Sequence, residues 1–427
     1  MITSVIISGI TIITMILAIL FFPTLKIKKL KLNTYWLVTV IGALLMLLLH
    51  VVPIKEFLAV LLSDAEINPL KILILFFSMT FLSIYLDELG LFKYLAIKVT
   101  NLAKNNQYSI FVTLFAAISV LTVFTSNDII ILTFTPFICY LCKRLMINPL
   151  PFLISEFVAA NTLSMALIIG NPTNIYLGLS CGLNFLSYFT KMGVIAFSCA
   201  IFALFILMVI FHKSLSQPIL KSYTEIELEN KPMVFVGSVI LLTCTVLMAI
   251  SNYLSLPMWI IAMVSAIVLI LSDLIYKLLK HSLESDGKVI KRLPWELIPF
   301  LLSMFIIVLG LECNGVTNLV RNFLGNNMVE YTYGFSSLLV ANVMNNIPMS
   351  VFYGAVIDTT NLKMVYATII GSNLAAILTP LGSLAGIMWM DILNANDVKF
   401  TFKGFVKYGL MIGVPMAIFA FTLLCVL

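Results

Sequence analysis

The sequence predicts an all-α polytopic membrane protein: about ten transmembrane helices plus two re-entrant hairpins, arranged as two inverted repeats with helices broken at the membrane midplane. Three observations carry this reading. Of 427 residues, 61% are hydrophobic and 10% charged, with mean hydropathy +1.11. A soluble domain sits near half apolar and a quarter charged. The apolar residues form continuous runs, not the short alternating segments of an outer-membrane barrel. Finally, the two halves of the chain align with one another. The composition excludes a soluble enzyme, a disordered chain and a nucleic-acid binder. The net charge of +6 is explained by loop lysines that orient the chain.

Apolar segments fall at about 2–22, 35–53, 70–97, 108–141, 149–179, 185–211, 233–252, 258–278, 294–312, 329–356, 362–392 and 404–427. The first lacks a basic start and a small-residue cleavage pattern, which predicts a retained helix. Segments 108–141 and 329–356 are too long for one span and short for two. If each enters and leaves by one face and the N-terminus is outside, 20 of the 25 basic residues lie inside. Lys55, Lys71, Lys191, Arg321 and Lys363 remain outside. This economy predicts both termini outside and the polar linker 212–232 in the cytoplasm. The segments mark off 1–106, a first half 107–211 (hairpin 108–141, broken helix 149–179), the linker 212–232, 233–315, and a second half 316–427 (hairpin 329–356, broken helix 362–392).

The repeat is read from polar positions, since shared hydrophobicity alone could imitate one. Residues 76–90 align with 301–315, pairing Ser78 with Ser303, Asp87 with Glu312 and Gly90 with Gly315. Asn127 pairs with Asn346. Residues 160–174 align with 372–386, pairing Asn161 with Asn373 and Gly170 with Gly382. The charge map runs the halves in opposite directions, an arrangement typical of secondary transporters.

Four polar clusters sit at depths that lipid should forbid: Thr125-Ser126-Asn127-Asp128, Gly170-Asn171-Pro172-Thr173-Asn174, Asn345-Asn346-Ile347-Pro348 and Thr379-Pro380-Leu381-Gly382-Ser383. Unwound backbone at such depth survives only inside protein or along a wet cavity, and it leaves N–H and C=O groups free to bind solutes and ions. One such break would be an ordinary kink; four, paired across a repeat, predict a binding site. Asp128 is the sharpest member, because an unpaired carboxylate at mid-depth costs ~2.5–3.5 kcal/mol or more. It also suits the N-terminus of the hairpin's second helix as a cap. Asp87, Glu88, Glu156 and Glu312 are further acids within spans; the first two are near a span end and can be solvated or paired, and Glu312 is interfacial.

Seven cysteines, an odd number, lie mostly in apolar segments, and the Cys139–Cys142 pair has no second cluster; these read as packing residues. His50, His212 and His281 lie at span ends or loops, so no zinc site is visible. Trp36, Trp259, Trp295 and Trp389 read as interface anchors. No Ser/His or His/Asp set lies at depth, which argues against an enzyme, and no GxxxxGK[ST] loop is present for a self-contained ATP-driven pump. A channel would want a continuous polar pore.

Over essentially its whole length the chain resembles the ion transporter superfamily, which includes arsenite-efflux permeases, sodium/proton antiporters and sodium–dicarboxylate or citrate carriers. The second half is similar to arsenite permeases through NNIP (345–348), MVYATIIGSN (364–373), LTPLGSLAGIMW (378–389) and PWELIPFLLSMFIIVLGLECNG (294–315). The first half is similar through SNDIIILTFTP (126–136) and GNPTNI (170–175), the latter run closer to the broader anion/sodium carriers. The chain departs from the arsenite pattern at Asn373 and Ile377, where that pattern carries Asp and Lys.

The resemblance implies a homodimer with an elevator-like movement, in which 107–211 and 316–427 form the moving domain and 1–106 and 233–315 the scaffold. It places Ser126, Asn127 and Asp128 at the first hairpin tip, Asn171, Thr173 and Asn174 in the first break, Asn345 and Asn346 at the second tip, and Thr379, Gly382 and Ser383 in the second break. It implies arsenite or antimonite efflux by exchange with protons, Asp128 binding the coupling proton or sodium. Sodium-coupled di- or tricarboxylate transport and sodium/proton antiport stand as alternatives. No cofactor is expected; a soluble ATPase partner is conceivable, since some arsenite permeases use one. Asn174→Ala and Asn346→Ala are expected to weaken solute binding more than assembly.

Overall fold

The computed structural model describes residues 1–22, 24–27, 30–63, 68–102, 106–219, 228, 230–280 and 287–427. Lys28, Lys29, Lys104, Lys221, His281 and most of the linker's centre lie outside the described residues. The chain begins with α1 (Ile2–Phe21), a short antiparallel ribbon of β1 (Thr24–Ile27) and β2 (Leu30–Asn33), α2 (Thr34–Leu48) and a small helix α3 (Ile54–Leu62). Then come α4 (Pro69–Glu88), α5 (Leu91–Leu102), α6 (Gln107–Phe124) and α7 (Asn127–Leu145). Helix α8 (Leu150–Leu163) leads through a 3-10 turn, Ile168–Gly170, into α9 (Pro172–Ser180) and then α10 (Phe185–Leu215). The second half holds α11 (Lys231–Ala249), α12 (Ser251–Leu254), α13 (Met258–Leu279), α14 (Gly287–Arg292), α15 (Leu297–Cys313) and α16 (Val316–Leu324). It ends with α17 (Val329–Met344), α18 (Asn346–Val356), α19 (Leu362–Leu378), a second 3-10 turn Pro380–Gly382, α20 (Leu384–Ala395) and α21 (Phe402–Val426).

The expected single segment 70–97 is two helices, because the chain turns at Gly90 in the left-handed region, φ +78°. Its repeat partner Gly315, φ +74°, makes the same turn between α15 and α16. The repeat holds element by element. Adding 212 carries the start of α8 to that of α19, the first 3-10 turn onto the second, and the start of α9 to that of α20.

Eight described helices are long and apolar enough to cross a bilayer, with shorter apolar helices beside them. One of the eight, Gln107–Phe124, nevertheless belongs to a hairpin. Its start is tied to the end of α10, where Gln107 Nε2 donates to Gln217 O at 3.0 Å. Phe111 packs edge-on against Phe152 at 5.7 Å, so α8 starts on that face too. Since α7 ends only five residues before α8 begins, α6 enters and α7 leaves on one face. The second hairpin closes on the other. Arg321 donates to the carbonyls of Ala355, Val356 and Ile357 at the end of α18, and Lys363 pairs with Glu330 at the start of α17, 2.8 Å away. Lys363 and Lys191 also donate to carbonyls of Cys425 and Leu427 at the end of α21. Lys191 lies near the start of α10 and Gln217 just past its end, so the two hairpins come from opposite faces.

Helix α2 packs on α1 and α15, and α13 on α4 and α11. The other elements interlock across the repeats: α9 packs on α18, and α20 on α7. Each helix that follows a break thus lies against the second arm of the opposite hairpin. The lining of this core is unusually complete, with every residue from Pro151 through Ser180 buried.

Candidate functional site

Both hairpin tips and both breaks are built from side chains that satisfy helix ends. Ser126 caps α7, its Oγ accepting from Ile129 N, and Asn171 caps α9, its Oδ1 accepting from Asn174 N at 2.9 Å. Asn345 and Ser383 do the same for α18 and α20. Gly170 and Gly382 are needed for close approach: a Cβ on the first would lie 1.9 Å from Ser164 O, and on the second 2.2 Å from Ala375 O.

The first tip is fixed through Asn127, whose Nδ2 donates to Asn161 Oδ1 at 3.0 Å. Asn161 in turn donates back to Phe157 O, as its repeat partner Asn373 does to Ile369 O, both at 2.8 Å. Beyond this the repeats diverge. Asn373 reaches across to the first break: its Oδ1 accepts from Asn171 Nδ2 at 2.6 Å and from Ser164 Oγ at 3.1 Å, and its Nδ2 donates to Asn174 Oδ1 at 2.7 Å. Ser372 Oγ donates to Thr173 Oγ1. Asn174 Nδ2 donates to the carbonyls of Ser164 and Leu167. The second break is tied to its own tip, where Asn345 Nδ2 donates to Leu381 O and Thr379 Oγ1 to Asn342 Oδ1 at 2.7 Å.

The site residues named from sequence therefore divide into two groups. Asn171, Thr173, Asn174, Asn345 and Thr379 are held by the protein itself. By contrast, Asp128 has no side-chain hydrogen bond or ion pair to any described residue and is half-buried in the first turn of α7. Tyr35 lies within its electrostatic reach. The buried side chain of Asn346 also has no described hydrogen-bonding partner. Ser126 and Ser383 keep a hydroxyl proton to offer. An apolar contact of Pro172 and Ile347 with Ile72, Phe76 and Leu301 sets the first break and second tip against α4 and α15.

The other acids resolve differently. Arg292 binds both Asp87 Oδ2 and Glu88 Oε1 at 2.6 Å, fastening the end of α4 to the end of α14. Glu312 is exposed. Glu156 is completely buried, accepting from Thr135 Oγ1 at 3.1 Å and Trp389 Nε1 at 3.1 Å. Trp389, expected as an interface anchor, is instead 1% exposed, because its indole N–H serves that carboxyl while its rings pack on Phe157, Phe400 and Phe405. Sequence reasoning did not place Asn342, Ser164 or Ser372 in the site. Only Asn161 and Asn373 carried a signal, as aligned amides.

A family model described as citrate transporter matches residues 1–365. The chain belongs to the citrate transporter family. By family it is a membrane transporter, and its eight long apolar helices among the described residues suit a multi-pass protein. Among relatives, the arsenical pump membrane protein of Escherichia coli strain K12 is 27% identical over 361 residues, covering 80% of this chain and 82% of the relative. A putative arsenical pump membrane protein of Bacillus subtilis is 24% identical, covering 81% and 84%. A 46 kDa membrane protein of Mycobacterium leprae is 22% identical, covering 81% and 83%. The resemblance read from sequence, which included citrate carriers and arsenite permeases, agrees with this family and these relatives.

Proposed function

We propose that this citrate-family transporter exports arsenite or antimonite in exchange for protons. The observation that carries the reading is Asp128: a half-buried carboxylate at a hairpin tip, without a described partner, two residues after the capping Ser126. Arsenite is largely uncharged at neutral pH and offers hydroxyls, which Asn127, Asn346, Ser126 and Ser383 suit. The Asp128 carboxylate, at the positive end of α7, takes up and gives back the coupling cation. The names of the arsenical-pump relatives support the solute class.

In this reading 107–211 and 316–427 move against the scaffold 1–106 and 233–315 in a homodimer, with termini outside and linker inside. A soluble ATPase partner is an optional addition. A second reading is sodium-coupled transport of a di- or tricarboxylate, and the family description, citrate transporter, supports its solute class. Against it, the tips and breaks hold no Arg or Lys, leaving helix N-termini alone to meet the anion.

Everted membrane vesicles containing the protein test this, with arsenite supplied with and without an imposed proton gradient. Gradient-dependent accumulation that Asp128→Asn abolishes is the expected result. No accumulation by folded protein overturns the arsenite assignment, and uptake of citrate with sodium establishes the second reading. Sodium/proton exchange without either solute would make the chain an antiporter.

A further inference from the structure

Glu156 has no part in the function just proposed, yet its surroundings are specific. It sits in α8 with no exposed surface, between Thr135 of α7 and Trp389 of α20. Both neighbours are neutral donors, and Thr135 has one proton to share between the two carboxyl oxygens. No lysine, arginine or histidine among the described residues forms an ion pair with it. The titratable group beside it is the Cys139 thiol on α7. On the elements packed around α8, Lys143, Lys213, Asp391, Lys403 and Lys407 are exposed, and Arg144 is bonded to Tyr140. Lys191 and Lys363 lie at the opposite face, and Asp128 is two turns away at the start of α7.

An ion in such a place keeps an effective penalty of several kcal/mol unless a counter-charge meets it, and a carboxyl without one takes up a proton instead. We propose that Glu156 is a resident proton site: the carboxyl is held neutral between α7 and α20, where it bridges the second arm of the first hairpin and the helix after the second break. The neutral acid fits both neighbours: its O–H donates to Thr135 Oγ1, a hydroxyl oxygen that accepts as readily as it donates, while the carbonyl oxygen accepts from the Trp389 indole. Asp128 is then the carboxylate of the hairpin tips and breaks left to respond to a coupling ion.

The test is infrared spectroscopy of the purified full-length protein at neutral pH. The expected spectrum contains the carbonyl stretch of an un-ionised carboxylic acid, lost in Glu156→Gln and retained in Asp128→Asn. Labelling wild-type protein with carboxyl-13C glutamate gives the same assignment should Glu156→Gln fail to fold, because it shifts a glutamic acid band and leaves an aspartic one. A band unmoved by the label, or no such band, overturns the proposal. Thermal unfolding against pH supplies the second readout. A proton held in the folded state and lost on unfolding makes stability fall as pH rises, by up to tenfold in the folding equilibrium per pH unit. The wild type is expected to show that slope in excess of Glu156→Gln; parallel slopes refute a resident proton.

Discussion

Asn373→Leu should damage the first break although it lies in the second repeat. The side chain is 2% exposed and binds Asn171 Nδ2, Asn174 Oδ1, Ser164 Oγ and Ile369 O. Leucine fills a similar volume and removes every polar atom. Ser164 keeps its alternative acceptor, Asn161 O, at 3.1 Å. Asn171 Nδ2 and Asn174 Oδ1 are left buried without that partner, at about 1–3 kcal/mol each. The expected loss is about 4 kcal/mol, large against typical single substitutions. The assay is thermal unfolding in one detergent, with Asn171→Ala and the double variant completing a cycle. Residues in one network should couple by about 1 kcal/mol or more. Strict additivity, or an Asn373→Leu variant as stable as the wild type, would refute the bridge between the repeats.

The amides named from sequence should separate in the same assay: Asn174→Ala should lose about 2–4 kcal/mol, whereas Asn346→Ala, which breaks no described hydrogen bond, should lose no more than about 1 kcal/mol and lower solute affinity instead. Equal losses would mean that Asn346 has a structural partner. Gly170→Ala drives a methyl into Ser164 O and should reduce folded yield sharply, at about 3 kcal/mol or more; normal expression would show that the break can relax. Arg321→Ala should free the base of the second hairpin, speeding amide exchange around residues 353–361 by about tenfold. Unchanged exchange there would assign closure to Lys363–Glu330 alone.

Much of this molecule was readable before any coordinates, because lipid punishes polar residues and so makes them informative. The four clusters, the repeat pairs Asn161–Asn373 and Gly170–Gly382, and the hairpins all stood out against an apolar background. What stayed hidden was direction. Sequence cannot say that Asn373 turns toward the opposite repeat while Asn161 stays in its own, since both make the same local bond to the carbonyl four residues back. Nor did it reveal that Trp389 points inward, because a tryptophan near a span end fits an interface equally well. Gly90 was aligned but not recognised as a turn, as one glycine in an apolar run does not announce its φ.

Gly90 and Gly315 share one further property: a Cβ at either would meet nothing within 4 Å. Their requirement is therefore one of handedness and not of room. L-Alanine would oppose the positive φ by about 1 kcal/mol, while the mirror-image residue, D-alanine, would prefer it. Chemical ligation of D-alanine at these positions would keep the bend and remove only glycine's range of motion. A protein that folds as well and transports more slowly would mark the two turns as working joints; unchanged transport would make them fixed corners whose chirality alone matters.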